Sequence, residues 1–383
     1  MSLSPRERLR TTLAGGIPDR VPVSPFVQEE YLAAYYPQRP TVDRVVDAAE
    51  LAAELDFDLI AKPRTLEPPH FLRRSRPGWE VRSYTRTEGE MEVRVVEIVT
   101  PRRRWWKEDR RPKAGAASAG VSWTPTRFLL PTDDDLRAFI DAVPPVDEDD
   151  RAEMREWAER WKRCVGDQGI VAPWGFAGVF NVAAEWIGMD RLYVLPLEQP
   201  ELYVQWMERL TAVQREYNRA LAQAGVDAIG IQGHIASGAS VGPEFFREFV
   251  LPWEQRVVQA IHQAGAWTIF HNCGYARSLY DCYRELGMTV WETVAGPPRG
   301  DNDLAEAKRL LGDRLVLLGN LDQVEFLKRA SPEEVARRTA ELVKVGKSGG
   351  RYVFSTADFL ERGTPRENVV AMIEAAKAAG TYD

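Results

Sequence analysis

The sequence predicts an α/β protein of the (β/α)₈ TIM barrel class, and three observations carry that expectation. Short apolar, β-branched runs recur along the chain, amphipathic stretches of helical length separate them, and eight such runs can be counted. Runs apolar on both faces belong to parallel strands covered by helices, and eight strand–helix units are the number that makes a barrel.

The first element is a helix opened by Ser4-Pro5-Arg6-Glu7, where an N-cap hydroxyl, proline at the first helical position and glutamate at the third combine. The first strand is expected over Val21 to Ser24 and the second over Asp58 to Ala61. Residues 62–169 then separate the second strand from the third, too long a span for a simple βα connection. One barrel over 1–383 is therefore expected to carry an inserted elaboration at 78–165. Within it, Val81 to Thr87 and Met91 to Thr100 alternate as a β-hairpin across Glu88-Gly89-Glu90, and helices follow at Thr132 to Asp141 and Asp147 to Lys162. The intervening Pro101 to Pro125, with Arg102-Arg103-Arg104-Trp105-Trp106 and the small-residue run Ala114 to Gly120, reads as a mobile lid or protein-docking loop.

The remaining strands are expected at Ile170 to Pro173, Ala228 to Ile231, Trp267 to Phe270, Thr289 to Trp291, Leu315 to Leu318 and Tyr352 to Phe354. Gly242-Pro243-Glu244 opens a helix running to about Gln263 with Phe245, Phe246, Phe249, Val250 and Val257 on one face. Ser331-Pro332-Glu333-Glu334 and Thr364-Pro365-Arg366-Glu367 repeat the starting chemistry of the first helix.

Composition narrows the function. Fifty Lys plus Arg against fifty-seven Asp plus Glu give a net charge of −7, which argues against a dedicated nucleic-acid binder and for a small molecule or another protein as partner. No stretch has the length of a membrane span, and Met1 to Arg10 lacks the apolar core of a signal peptide, so a cytoplasmic protein with no membrane partner is expected. Three cysteines are too few for a disulfide framework. Cys164 and Cys282 fall on helices as packing residues and His262 lies within a helix as a structural residue, whereas His70, after the second strand, is placed where it could reach the barrel mouth.

The fifth strand ends Phe270-His271-Asn272-Cys273-Gly274. Residues two apart on a strand project to one side, so His271 and Cys273 can share a ligand. Imidazole nitrogen with thiolate sulfur suits zinc, and barrel chemistry sits where strands end at their carboxyl side.

The carboxyl-terminal half resembles the uroporphyrinogen decarboxylase superfamily, including its cobalamin-dependent methyltransferase branch. The resemblance rests on Gly242-Pro243-Glu244-Phe245-Phe246-Arg247-Glu248-Phe249-Val250-Leu251-Pro252, the His271-Asn272-Cys273-Gly274 strand end, Gly312-Asp313-Arg314 with Gly319-Asn320-Leu321-Asp322, and Gly363-Thr364-Pro365-Arg366-Glu367-Asn368. Pro18-Asp19-Arg20-Val21-Pro22 and Phe176 to Gly188 extend it towards the amino terminus. The superfamily fold is a (β/α)₈ barrel.

The resemblance implies methyl transfer more readily than decarboxylation. The segment after the first strand, where decarboxylases carry carboxylate-binding arginines, reads Pro25-Phe26-Val27-Gln28-Glu29-Glu30 and would repel such a substrate. Glu185 and Asp358 stand where the family tyrosine and histidine are expected. The methyltransferase branch holds zinc by a His-x-Cys, matching His271 and Cys273, and by a cysteine at the eighth strand's end, where this chain has Asp358. A carboxylate is an acceptable zinc ligand, and Glu292 or His234 are the alternatives for the third position. The expected partner is a corrinoid (cobalamin) protein docking over the mouth, the subunit state a monomer or homodimer.

On strand-end position, Glu185, His234 and Glu292 are the candidate catalytic residues. Trp174, Phe176, Phe180, Asn181, Gln232 and Tyr275 are the candidate substrate contacts, the aromatic ones walling a pocket for a methoxylated ring and favouring O-demethylation. The competing readings are a metal-free decarboxylase and a non-catalytic small-molecule binding protein.

Overall fold

The computed structural model describes residues 3–63, 69–113 and 123–382. Its strands are β1 (Leu59–Ala61), β2 (Glu80–Glu88), β3 (Met91–Val99), β4 (Arg104–Pro112), β5 (Thr124–Arg127), β6 (Gly169–Val171), β7 (Ala228–Gln232), β8 (Trp267–His271), β9 (Val290–Thr293), β10 (Val316–Leu321) and β11 (Tyr352–Thr356). β7 to β11 form one parallel five-stranded sheet in chain order, and β1 pairs in parallel with β6. Every residue of β9 and of β11 is buried, as expected of strands covered on both faces.

The two parallel sheets are joined without a ladder. Trp174 bridges Gly230 of β7, and Val23 bridges Phe354 of β11. On the other side of that segment Asp58 N donates to Val23 O at 2.8 Å, just before β1. The arrangement is barrel-like, but continuous ladders do not close it. The expected first strand, Val21 to Ser24, is thus a bridged extended segment. Pro22 lacks an N–H, so this stretch cannot sustain a ladder.

Helices cover the sheet by the periodicity of their apolar residues. Pro200–Gln223 buries Trp206, Leu210, Tyr217 and Leu221 on one face. Pro5–Leu13 closes the amino-terminal side under a Ser4/Glu7 capping box, and its Arg8 bonds Asp19 at 2.7 Å and Asp58 at 2.5 Å. Asp58 also accepts from Arg20 at 2.8 Å, so four charges are mutually satisfied at the barrel's base.

The expected helix from Pro243 to Gln263 is interrupted. A π-helical turn, Phe246–Val250, separates Pro243–Phe245 from Leu251–Gln263. Pro252 explains the break, because its ring clashes with the carbonyl four residues back and it offers no N–H.

Between β1 and β6, strands β2 to β5 make an antiparallel sheet in sequential order. The stretch expected to be a mobile loop is therefore largely extended, with Arg104–Pro112 paired against Met91–Val99; the Ala114 to Gly120 run lies outside the described residues. Arg104 and Arg127 stack over Trp106, and Arg94 and Arg111 over Trp123, which holds cation and aromatic in register across the sheet. Asp133–Ala142 and Glu148–Val165 follow, capped by Thr132 and Asp147. His70 does not reach the mouth. It is buried, stacked on Tyr217, with Nε2 3.0 Å from Pro144 O. Among the described residues no helix is long and apolar enough to cross a membrane.

Candidate functional site

The site is built from residues at the carboxyl ends of the parallel strands. β8 ends at His271, and the turn beyond it is fixed by Asn272, whose Oδ1 accepts from Gly274 N at 3.2 Å and whose backbone oxygen accepts from Thr293 Oγ1 at 2.6 Å. Asn272 Nδ2 also donates to the Tyr283 hydroxyl. Cys273, half-buried, follows on the side of His271. β11 ends two residues before Asp358, whose Oδ1 accepts from Phe359 N at 2.8 Å.

The ligand atoms of His271, Cys273 and Asp358 lie within 4.8 Å of one another. Donor atoms of a four-coordinate ion with bonds of about 2.0–2.3 Å stand about 3.5 Å apart, so a small side-chain adjustment brings this set onto one ion. Nitrogen, sulfur and oxygen donors of this kind accept a divalent transition metal, and the chemistry of the set fits one.

Glu292, at the end of β9, is not among these donors. Its Oε2 is 2.8 Å from His271 Nδ1, and its Oε1 accepts from Lys62 Nζ. Both oxygens are engaged, which fixes the imidazole plane and leaves Nε2 for a ligand. Burial works against the Glu292 charge, but Lys62 and His271 outweigh it and hold the carboxyl at about 2. Burial also works against a charged His271, yet hydrogen bonds to Cys273 and Glu292 raise its pKa to about 10; a metal bound to the ring would take the place of that proton. Burial pushes the Lys62 ammonium down despite Glu292.

Aromatic rings enclose the group. Trp174 meets the His271 ring edge-on at 5.4 Å, and Phe26 meets it at 6.3 Å. Phe359 packs against Phe26 at 6.4 Å. Trp174 has room there because residue 230 is glycine: a Cβ at Gly230 would lie 2.5 Å from the indole.

The other sequence-derived candidates divide. Asn181, buried on the helix Val179–Ile187, brings its amide 3.2 Å from His234 Nδ1 and accepts from Ile235 N through Oδ1 at 3.2 Å. The partial enclosure of the His234 ring, followed by the nearby His271, lowers its pKa. Gln232 ends β7 half-buried, and Glu185 is solvent-exposed one turn beyond Asn181. Tyr275 is 44% exposed on the turn after Cys273. Phe176 and Phe180 are placed in the core. Phe176 packs on Phe71, Trp186 and Tyr217, and Phe180 on Tyr193 and Phe245, because both face the covering helices.

Lys62, Phe26 and Phe359 were not singled out from sequence. Only Lys62 carried a usable signal, a cation directly after the apolar strand Leu59–Ala61. The expected repulsion by Glu29 also needs correction, because its carboxylate is paired with Arg44 and so partly neutralised.

A family model described as uroporphyrinogen decarboxylase (URO-D) matches residues 139–379. The methylcobamide:CoM methyltransferase MtaA of Methanosarcina barkeri is 27% identical over 205 residues, 52% of this chain and 56% of that protein. A methylated-thiol–coenzyme M methyltransferase of Methanosarcina mazei is 25% identical over 198 residues, 52% of this chain and 50% of that protein. A uroporphyrinogen decarboxylase of Coxiella burnetii is 26% identical over 185 residues, 46% of this chain and 48% of that protein. The chain thus spans about half the length of the curated relatives it matches. In fold, a solved methyltransferase from Methanosarcina mazei is similar over 98% of this chain and 99% of that chain, with a TM-score of 0.70 at 17% identity.

Proposed function

The chain belongs to the uroporphyrinogen decarboxylase family, and on that footing we propose that it is a zinc-dependent methyltransferase moving a methyl group between a small substrate and a corrinoid protein. The observation that carries this reading is the convergence of His271, Cys273 and Asp358 at the carboxyl ends of the strands. Relatives named as methylcobamide and methylated-thiol methyltransferases support the reaction class.

Zinc held there, with one position open, would acidify a substrate thiol or polarise an ether oxygen. His271 would bind through Nε2 while Glu292 retains Nδ1. Cys273 would supply the soft donor and Asp358 the hard one. A set with one thiolate leaves the ion more electrophilic than a two-thiolate set, which suits an ether oxygen. The preferred substrate is therefore a methoxylated aromatic, whose ring would lie against Trp174, Phe26 and Phe359. His234, oriented by Asn181 and held neutral by its lowered pKa, would hydrogen-bond the departing oxygen. Gln232 and Glu185 would orient polar ring substituents. Tyr275, exposed at the rim, would face the docked corrinoid partner.

The test is metal content after purification without added metal, alongside His271→Ala and Cys273→Ser, followed by conversion of 2-methoxyphenol with reduced cobalamin. About one zinc per chain, lost in both variants, is expected. No zinc and no uptake of added zinc would refute the mechanism. Tight porphyrin binding in an absorbance titration of the metal-free protein would put decarboxylation in its place, and binding of 2-methoxyphenol without turnover would leave a binding protein.

A further inference from the structure

The metal reading leaves unused the buried cation beside the donor set. Lys62 has a side chain only 6% exposed, and an ammonium taken that far out of water persists where its charge is compensated. Glu292 Oε1 accepts from it, and its nitrogen lies 3.6 Å from the centre of the Phe26 ring and 4.7 Å from that of Trp174. The same carboxylate reaches His271 Nδ1 at 2.8 Å through Oε2. Lys62, Glu292 and His271 therefore form one chain that ends at the donor set.

We propose that Lys62 is a positioning residue that acts through Glu292 to keep the bound metal electrophilic, an inference that rests on the metal site proposed above. A carboxylate on the far nitrogen of a ligating histidine makes the imidazole a stronger donor, and a stronger donor weakens the metal's pull on a thiol in the open position. Lys62 draws that charge away and pins the second carboxylate oxygen. Charges count the same way. The thiolate of Cys273 and the carboxylate of Asp358 balance a divalent ion, and Lys62 balances Glu292, so the centre is neutral. Removing Lys62 adds one negative charge that opposes a thiolate ligand. Asp358 and Arg44 also act on the ammonium, with opposite signs, and Arg44 is itself paired with Glu29, so neither takes the place of Lys62.

The experiment loads the full chain with Co²⁺ and titrates pH in the presence of 2-mercaptoethanol, following the added sulfur-to-cobalt charge-transfer absorption. Lys62→Met is expected to raise the midpoint by on the order of one pH unit, the effect of removing a nearby unit charge at an effective dielectric of about 20. Lys62→Arg should hold the original midpoint, and Lys62→Met combined with Glu292→Gln, a neutral pair for a neutral pair, should return towards it. An unmoved midpoint in Lys62→Met, or a double variant displaced as far as the single one, overturns the proposal. Where Lys62→Met does not fold, Glu292→Gln alone must lower the midpoint, and a static value overturns the proposal equally. Failure of the unaltered chain to take up Co²⁺ overturns the metal site and this inference together, whereas uptake with unmoved midpoints overturns the inference alone.

Discussion

Glu254→Gln tests how the helix bearing Asn181 is anchored. Glu254 is 2% exposed, and its Oε1 accepts from Phe180 N at 3.0 Å in the first turn of Val179–Ile187. Burial raises its pKa from 4.5 to about 7, against the opposing hydrogen bonds from Phe180 and Val179. The folded pKa lies above the unfolded one, so the folded state retains a proton that the unfolded state releases as pH rises from 4.5 to about 7. Stability must fall across that window and level off above it. At about 1.4 kcal/mol per pK unit, the fall is on the order of 3 kcal/mol. Glutamine keeps the acceptor and cannot ionise, so in the variant this site contributes no pH dependence and the parent alone loses stability across the window. The readout is the difference between the two proteins in urea unfolding at pH 4.5, 6, 7 and 8. It should shift in favour of the variant by about 3 kcal/mol, or about 4 °C in Tm for a chain of this length. A flat difference curve would refute the reasoning, since the carboxyl would then titrate alike folded and unfolded.

Three further outcomes follow from particular contacts. Asp358→Ala should weaken zinc binding by at least about 10–100-fold in chelator competition, the loss typical of removing a ligand's mere supporting partner, while Asp358→Cys should bind at least as tightly as the parent, because thiolate is the softer donor. Gly178→Ala should cost about 2–4 kcal/mol in denaturant unfolding: Gly178 has φ +93°, and a Cβ there would lie 2.1 Å from the backbone oxygen of Gln232. Burial opposes ionisation of Asp19, but Arg8 and backbone donors hold its pKa at about 2 against 3.8 unfolded. Its contribution is therefore present above about pH 4 and lost as pH falls towards 2, and Asp19→Asn should flatten that acid limb of the unfolding midpoint.

Much of the architecture was legible because local chemistry dictates it. The Ser4, Thr132, Asp147 and Ser331 caps start helices where their side chains meet an N–H three residues on. The buried runs of β7 to β11 are apolar on both faces, which no amphipathic helix needs. The pairing of His271 with Cys273 was equally local, since a spacing of two on a strand is enough to aim both at one side.

What the linear order could not carry is which distant residue faces which. Asp358 joins His271 and Cys273 from another strand end, and Lys62 meets Glu292 across 230 positions of sequence. Trp174 turned inward where Phe176, two residues later, turned to the helices, because Gly230 left a hollow for one ring and Trp186 and Tyr217 offered a surface to the other. Spacing fixes the side to which a residue points, but a buried charge such as Lys62 is stable only beside its compensating partner, and that neighbour is set by how the strand ends converge. The sequence by itself determined most of the buried parallel strands, several helix starts and the alignment of His271 with Cys273, and it pointed to Asp358 beside Glu292 and His234; tertiary packing brought Asp358 to that pair, set Glu292 behind the histidine with Lys62, and chose the aromatic walls, because only the convergence of strand ends fixes which distant residues meet.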